Sequence, residues 1–201
     1  MTAVTPTSNS KRNTLLLLAA VFVLPFVVGS GLFWLDWRPE KYINHGDLLQ
    51  PPIPLPETGL SHADGRPLPA SDFRGKWLLV LPVNGACDKD CEKSLQLMQQ
   101  VHIALNKEQD RLLRVLVSID SSGTHSTPAL PELQQRLPDI VVAMAKASTE
   151  VNVWRSLLGD SGQKVFIVDP LGNVMMRYAE PIDMRGVLKD LERLLKYSWV
   201  R

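Results

Sequence analysis

The run "NTLLLLAAVFVLPFVVGSGLFWL", Asn13 to Leu35, restricts this chain more than any other feature, because 23 consecutive positions carry no charge. As a helix rising about 1.5 Å per residue it reaches about 35 Å, enough to cross a hydrocarbon core of about 30 Å. Lys11 and Arg12 stand directly before it and favour keeping that end in the cytoplasm. Trp34 and Trp37 fall where an aromatic belt would meet the far surface. Pro25 lies mid-segment, where a lone span tolerates a kink. The competing reading is a cleaved signal peptide. Leu15–Val28 has the length of a signal's apolar region, and Gly29-Ser30-Gly31 resembles a small-residue cleavage site. Against cleavage, apolar residues continue through Leu32, Phe33 and Leu35, and no Ala-x-Ala motif is present there. Residues 13–35 are therefore read as an uncleaved anchor and residues 1–12 as its cytoplasmic N-terminus. Both readings export the remainder of the chain to an oxidising compartment, where cysteines can pair.

The exported part is close to neutral. The whole chain has 22 Lys and Arg against 21 Asp and Glu. With Lys11 and Arg12 set aside the remainder carries about −1 and has no basic stripe, which argues against a nucleic-acid partner. No phosphate-binding glycine motif is present, and no Ser/His/Asp arrangement has supporting context. Residues 36–58 read as a spacer. Its end, "QPPIPLPETG", holds four prolines in ten positions, which excludes a helix or a central strand and suits an extended tether.

Residues 59–201 carry the pattern of a compact domain. "LSHADGRPL" reads as a polar turn or small hairpin with Asp64-Gly65 at its tip. "KWLLVLPV" is a short, continuous apolar run of the kind found in strands buried on both faces. In the next segment Leu95, Met98, Val101 and Leu105 recur at helical spacing. "LLRVLVSID" and "DIVVAMA" are further buried strands, with a helical turn or two in "ALPELQQRL" between them. "STEVNVWRSLLG" reads as a helix capped by Ser148 or Thr149 and stopped by Gly159. "KVFIVDPLGNVMMRY" gives two strands around a turn at Pro170–Asn173, and "DMRGVLKDLERLLKY" a closing amphipathic helix. Helices alternating with wholly apolar strands imply an α/β fold, a mixed central sheet flanked by helices. The two cysteines, Cys87 and Cys91, stand after the first buried strand and at the start of a helix, which makes the arrangement thioredoxin-like.

With these elements placed, "SDFRGKWLLVLPVNGACDKDC" resembles the opening of redoxin domains, where a D-F-x-G-K segment leads into the first core strand and the cysteine motif. The C-x3-C spacing is that of the Sco (SenC-like) family of thioredoxin-fold copper chaperones. "LVSID" and "VFIVDPLGNVMMRY" also resemble Sco positions, as does an N-terminal anchor carrying an exported domain. The resemblance implies a single-pass protein of a bacterial-type inner (cytoplasmic) membrane, with its C-terminal domain in the periplasm. It further implies a role in cytochrome c oxidase assembly, with an oxidase subunit or another assembly protein as partner. Two departures stand out. The family's third copper ligand is a histidine about nine residues before the proline of the late turn. Counting back from Pro170 reaches Ser161. The proline with which thioredoxins face their cysteines is also missing from residues 160–165.

Three roles remain open for Cys87 and Cys91. As a redox pair, Cys87 would be the exposed attacking thiol, favoured as thiolate by the helix N-terminus, and Cys91 would resolve the mixed disulfide. Asp88 and Asp90 oppose that thiolate and Lys89 favours it, so the thiol should be less acidic than in a strong oxidant. As metal ligands, the same two thiolates are a soft pair suited to Cu(I). His102 would lie too far down the helix to join them, and His62 or His125 could do so only through a loop folded over the site. As a staple, the pair would simply close a short loop. The reading adopted is thiol–disulfide exchange on a partner. Cu(I) binding and a non-catalytic docking role are the alternatives.

Overall fold

The computed structural model describes residues 8–35, 43–56, 59–62, 64–85, 87–119, 133, 135–137, 139–145, 148–159 and 162–198. Asp120, His125, Ser161 and most of "ALPELQQRL" lie outside the described residues. The chain divides into two compact units, Met1–Tyr42 and Ile43–Arg201. The first contains the helix α1 (Ser8–Trp34), which runs through Pro25 without a break. Its stretch Arg12–Trp34 is long and apolar enough to cross a membrane and is exposed along its length. A helix that is apolar all round and unburied from end to end suits a lipid surrounding.

Among the described residues the second unit is built on seven strands. They are β1 (Asp47–Pro54), β2 (Leu60–His62), β3 (Trp77–Asn84), β4 (Leu112–Ile119), β5 (Ile140–Ala145), β6 (Lys164–Val168) and β7 (Asn173–Ala179). Their order across one sheet is β1-β7-β6-β3-β4-β5-β2. β3, β4 and β5 run parallel, while β6 is antiparallel to β3 and β7 to β6. Helices α2 (Lys89–Ala104), α3 (Ser148–Leu158) and α4 (Met184–Tyr197) join them.

The central strand β3 is buried along seven of its eight residues, and its side chains alternate between two cores. Leu79, Leu81 and Val83 face Leu95, Met98 and Val101 of α2 and Val187, Leu191 and Leu195 of α4. Leu78 and Val80 belong to the other core, with Trp154 and Leu157 of α3, Phe73 and Leu68. Helices therefore cover both faces, as the uniformly apolar strands required. Gly159 ends α3 at φ +60°, and the buried Lys164 ammonium bonds the Leu158 carbonyl, where a cation meets the negative end of the helix.

The spacer differs from its sequence reading in one respect. Asp47–Pro54 is an ordered edge strand, paired antiparallel with β7 through Leu48↔Met176 and Ile53↔Val174. Prolines are acceptable there because an edge strand needs ladder bonds on one side only, and the register breaks between Leu48 and Ile53, around Pro51 and Pro52. Leu49, Ile53 and Leu55 are half-buried against the core, which is what draws the segment in. At the other edge β2 pairs with β5, and the small hairpin closes as expected around Asp64-Gly65, with Leu68 N–H donating to Leu60 O at 2.9 Å.

The entry to this unit is clamped onto α4. Asp190, buried, accepts from His45 N (2.7 Å), Gly46 N (3.1 Å) and Tyr178 Oη (2.9 Å), and its other oxygen meets His45 Nδ1 at 3.2 Å. Burial first, and then the Asp190 charge, push the Tyr178 phenol far above its ordinary range, so it stays a donor. Gly186 is required where α4 meets His45, because a Cβ there would lie 2.6 Å from His45 Cβ. Gly186→Ala is expected to lower the unfolding free energy by about 1–3 kcal/mol in urea titration of the full chain. An unchanged midpoint would mean that the clamp yields freely.

Arg114 on β4 is the opposite case. It is 1 % exposed, its nearest carboxylate is the exposed Asp139 at 3.9 Å, and its Nε and Nη1 have no partner among the described residues. Burial lowers its pKa, a sign that the charge is poorly compensated. Arg114→Met keeps much of the volume without the charge and should raise the unfolding free energy by about 1–2 kcal/mol. A lower thermal midpoint in that variant would contradict this account.

Candidate redox site

β3 delivers the chain to the site. Beyond Asn84 the strand gives way to Gly85 at φ +75°, whose N–H donates to Ile119 O (3.1 Å) and whose carbonyl accepts from Ser118 Oγ (2.9 Å). The turn is thus tied to β4, and Cys87 comes directly after it. Cys87 and Cys91 form a disulfide, with Cα atoms 5.3 Å apart. Asp88 caps α2, its Oδ1 accepting from Cys91 N–H at 2.9 Å. Cys87 therefore precedes the cap, and Cys91 sits one turn inside the helix. Cys91 is fully buried against Leu95 and the core, whereas Cys87 is half-exposed. A thiol arriving from outside can reach only the Cys87 sulfur, the asymmetry that stepwise disulfide exchange needs.

A cleft of about 170 Å³ runs beside Cys91, lined by Pro82, Val83, Asn84, Asp88, Leu158, Gly162 and Gln163. It opens where the pairing of β3 with β6 stops. β6 pairs with β3 only over Leu78–Val80, and beyond it Pro82 has no N–H to continue a ladder. Gln163, just before β6, fills the space with its amide. In the orientation that satisfies every group, its carbonyl accepts from Cys91 N–H (2.7 Å), while its NH2 donates to Ser94 Oγ (2.7 Å) and Asp90 O (3.2 Å). Neither Gln163 nor Ser94 stands out in the sequence. The one available signal was position, two residues past the Ser161 reached by counting back from Pro170. A larger cleft of about 410 Å³, between Trp77, Leu171 and Tyr197, lies beyond the opposite end of β3 and contains neither cysteine.

The three described histidines lie elsewhere. His45 is held by Asp190, His62 ends the edge strand β2, and His102 contacts Gln109 O at 3.1 Å from within α2. Among the described residues no three His, Cys, Asp or Glu side chains gather as a metal-binding group. Two sulfurs joined in a disulfide are not thiolate donors, and reduction would supply two ligands, with no third gathered beside them among the described residues. Among the described residues the donors do not complete a three-ligand Cu(I) site.

A scan against known families matches residues 77–198 to a family described as transmembrane-like, thioredoxin-like, C-terminal domain. The match runs from the first residue of β3 past the last helix and includes both cysteines. This chain belongs to that family. A search of curated proteins returns no match. Among solved structures, apo Sco1 from Thermus thermophilus aligns over 78% of this chain and 99% of its own, at 18% identity and a TM-score of 0.58. Yeast Sco1 with copper bound covers 74% and 95%, at 15% identity and 0.57. BsSco, a Sco family member described with a disulfide switch, covers 76% and 100%, at 14% identity and 0.54. Identities this low concern the fold. For this member of the thioredoxin-like family, the likeness supports the mixed sheet and flanking helices derived above.

Proposed function

We propose that this protein is a membrane-anchored thiol–disulfide exchange protein, with its thioredoxin-like unit on the exported, periplasmic face. It would act on a partner during maturation of a respiratory oxidase. The observation that carries this reading is the unequal burial of one disulfide: Cys87 accessible, Cys91 shielded, both at the strand-to-helix junction. In the reaction, the reduced pair's Cys87 thiolate attacks one sulfur of a partner disulfide and expels the other as a thiolate. Cys91 then attacks Cys87 Sγ, which frees the partner's second sulfur. The pair loses two electrons, the partner gains them, and both partner thiolates take up protons. The reverse sequence oxidises a partner dithiol.

The oxidase assignment is supported by BsSco, whose description places the Sco family in cytochrome c oxidase assembly and assigns BsSco a disulfide switch. The test is made in cells that depend on this protein. Assembled oxidase should fall to the level of the deletion strain with Cys87→Ser, with the variant protein present at normal abundance. Normal oxidase with that variant would leave the docking reading in its place. A second reading, Cu(I) held by the two reduced thiolates, is favoured by the copper-bound yeast Sco1 of like fold and opposed by the lack of a third donor among the described residues. Titration of the reduced full chain with Cu(I) against a competing chelator separates the two. Tight one-to-one binding would favour the metal.

A further inference from the structure

The electrostatics at the start of α2 bear on which way electrons move, given the exchange function proposed above. A cysteine at a helix N-terminus is a strong oxidant when its thiolate collects the unpaired N–H groups and the positive end of the dipole, because the reduced form is then stabilised. Here that anion position is already taken. Asp88 is the N-cap, between Cys87 and the helix, and its carboxylate accepts from Cys91 N–H at 2.9 Å. The same N–H is drawn by the Gln163 carbonyl at 2.7 Å. A new thiolate at Cys87 would find the Cys91 N–H engaged twice and a carboxylate next to it in the chain.

The surrounding charges do not reverse this. On α2, Asp90 stands in the first turn with Lys89, and Glu92 is paired with Arg136 at 3.0 Å. Lys93 lines a separate cleft with Asp90 and Glu180, the latter from the end of β7. Asp120 and Asp160 lie outside the described residues. Among the described residues no Lys, Arg or His forms an ion pair with the Asp88 carboxylate.

We infer that Asp88 and Gln163 set the potential of the Cys87–Cys91 pair, holding it on the reducing side so that it donates electrons to a partner disulfide. Asp88 acts by charge and Gln163 by occupying Cys91 N–H. Both are positioning residues that act through the cysteines. The step is the exchange written above in its forward sense, and the pair is returned to the dithiol by a second protein dithiol on the same side of the membrane.

The test uses the full chain in detergent micelles, equilibrated with reduced and oxidised glutathione at neutral pH, with the dithiol fraction read by thiol labelling. The parent should remain disulfide-bonded in millimolar reduced glutathione. Asp88→Asn keeps an oxygen for the cap and removes the charge. It should move the equilibrium at least threefold toward the dithiol, where tenfold corresponds to about 30 mV. Gln163→Met should move it the same way by twofold or more. A purely structural cap would leave Asp88→Asn unmoved. A shift below these limits, or of opposite sign, removes that residue from the role, and a parent readily reduced by glutathione overturns the inference as a whole. Exchange with a model protein disulfide is measured on the same samples. Exchange without these shifts refutes the tuning and spares the function, whereas a disulfide that neither opens in dithiothreitol nor exchanges refutes the function itself.

Discussion

Replacing Asp190 with alanine is expected to lower the unfolding free energy by about 3–5 kcal/mol, the largest stability effect of any single polar substitution argued from this structure. The carboxylate is buried and is the shared acceptor of two backbone N–H groups, a phenol and an imidazole nitrogen. Truncation leaves Gly46 N–H and Tyr178 Oη buried without that acceptor, and each such orphan costs about 1–3 kcal/mol. The loss is larger than for a surface pair because no water replaces the missing oxygens. Asp190→Asn should cost less, since its carbonyl still accepts while its NH2 faces donors. Tyr178→Phe removes one of the bonds and should cost about 1–2 kcal/mol. In a double-mutant cycle the two changes should fall short of additivity by about 1 kcal/mol, since both delete the same contact. Urea unfolding followed by tryptophan fluorescence gives all four values. A loss below about 1 kcal/mol for Asp190→Ala would show that the His45–Gly46 entry is not anchored through this residue.

Removing the two cysteines one at a time should give opposite outcomes, and this asymmetry is the largest effect expected on activity. Cys87→Ser deletes the only sulfur that an external disulfide can reach, and exchange should fall by on the order of 100-fold or more. Cys91→Ala should instead capture the partner. Cys87 still attacks, but the buried sulfur that would release it is gone, so a mixed disulfide accumulates. Alanine is chosen for Cys91 because that position is sealed in the core, where a serine hydroxyl would need a partner. Loss of the cross-link itself should be mild, since the disulfide closes a loop of only a few residues. Non-reducing electrophoresis of the full chain with a partner or model disulfide distinguishes the two variants. Equal trapping by both, or by neither, would remove the roles assigned here to the two sulfurs.

Much of this architecture was legible in the chain because its signals are local. "KWLLVLPV", "LLRVLVSID" and "DIVVAMA" are too uniformly apolar to face water on either side, and each became a strand covered on both faces. Gly159 stops α3 as its position indicated, and the late turn forms where it was expected, closed by the Asp169 carboxylate on the Leu171 and Asn173 N–H groups. The cysteine pair was placed correctly at the strand-to-helix junction for the same reason. The proline-rich segment was not fully legible. Its composition excludes a central strand but is silent on an edge, and only β7 offered the open side that makes β1 a strand.

The sequence by itself determined an uncharged segment long enough to span a membrane, an alternation of buried strands and helices, and a C-x3-C pair at the mouth of one of those helices. These come from hydropathy, period and spacing, which act between near neighbours in the chain. Tertiary structure decided what those neighbours cannot specify. It brought Gln163 to Cys91 across 72 positions and Asp190 to His45 across 145, shielded one sulfur while leaving the other open, and left the described histidines away from the pair. Such contacts depend on where the sheet order places distant segments, and a polar side chain carries no local mark of the partner that burial will give it.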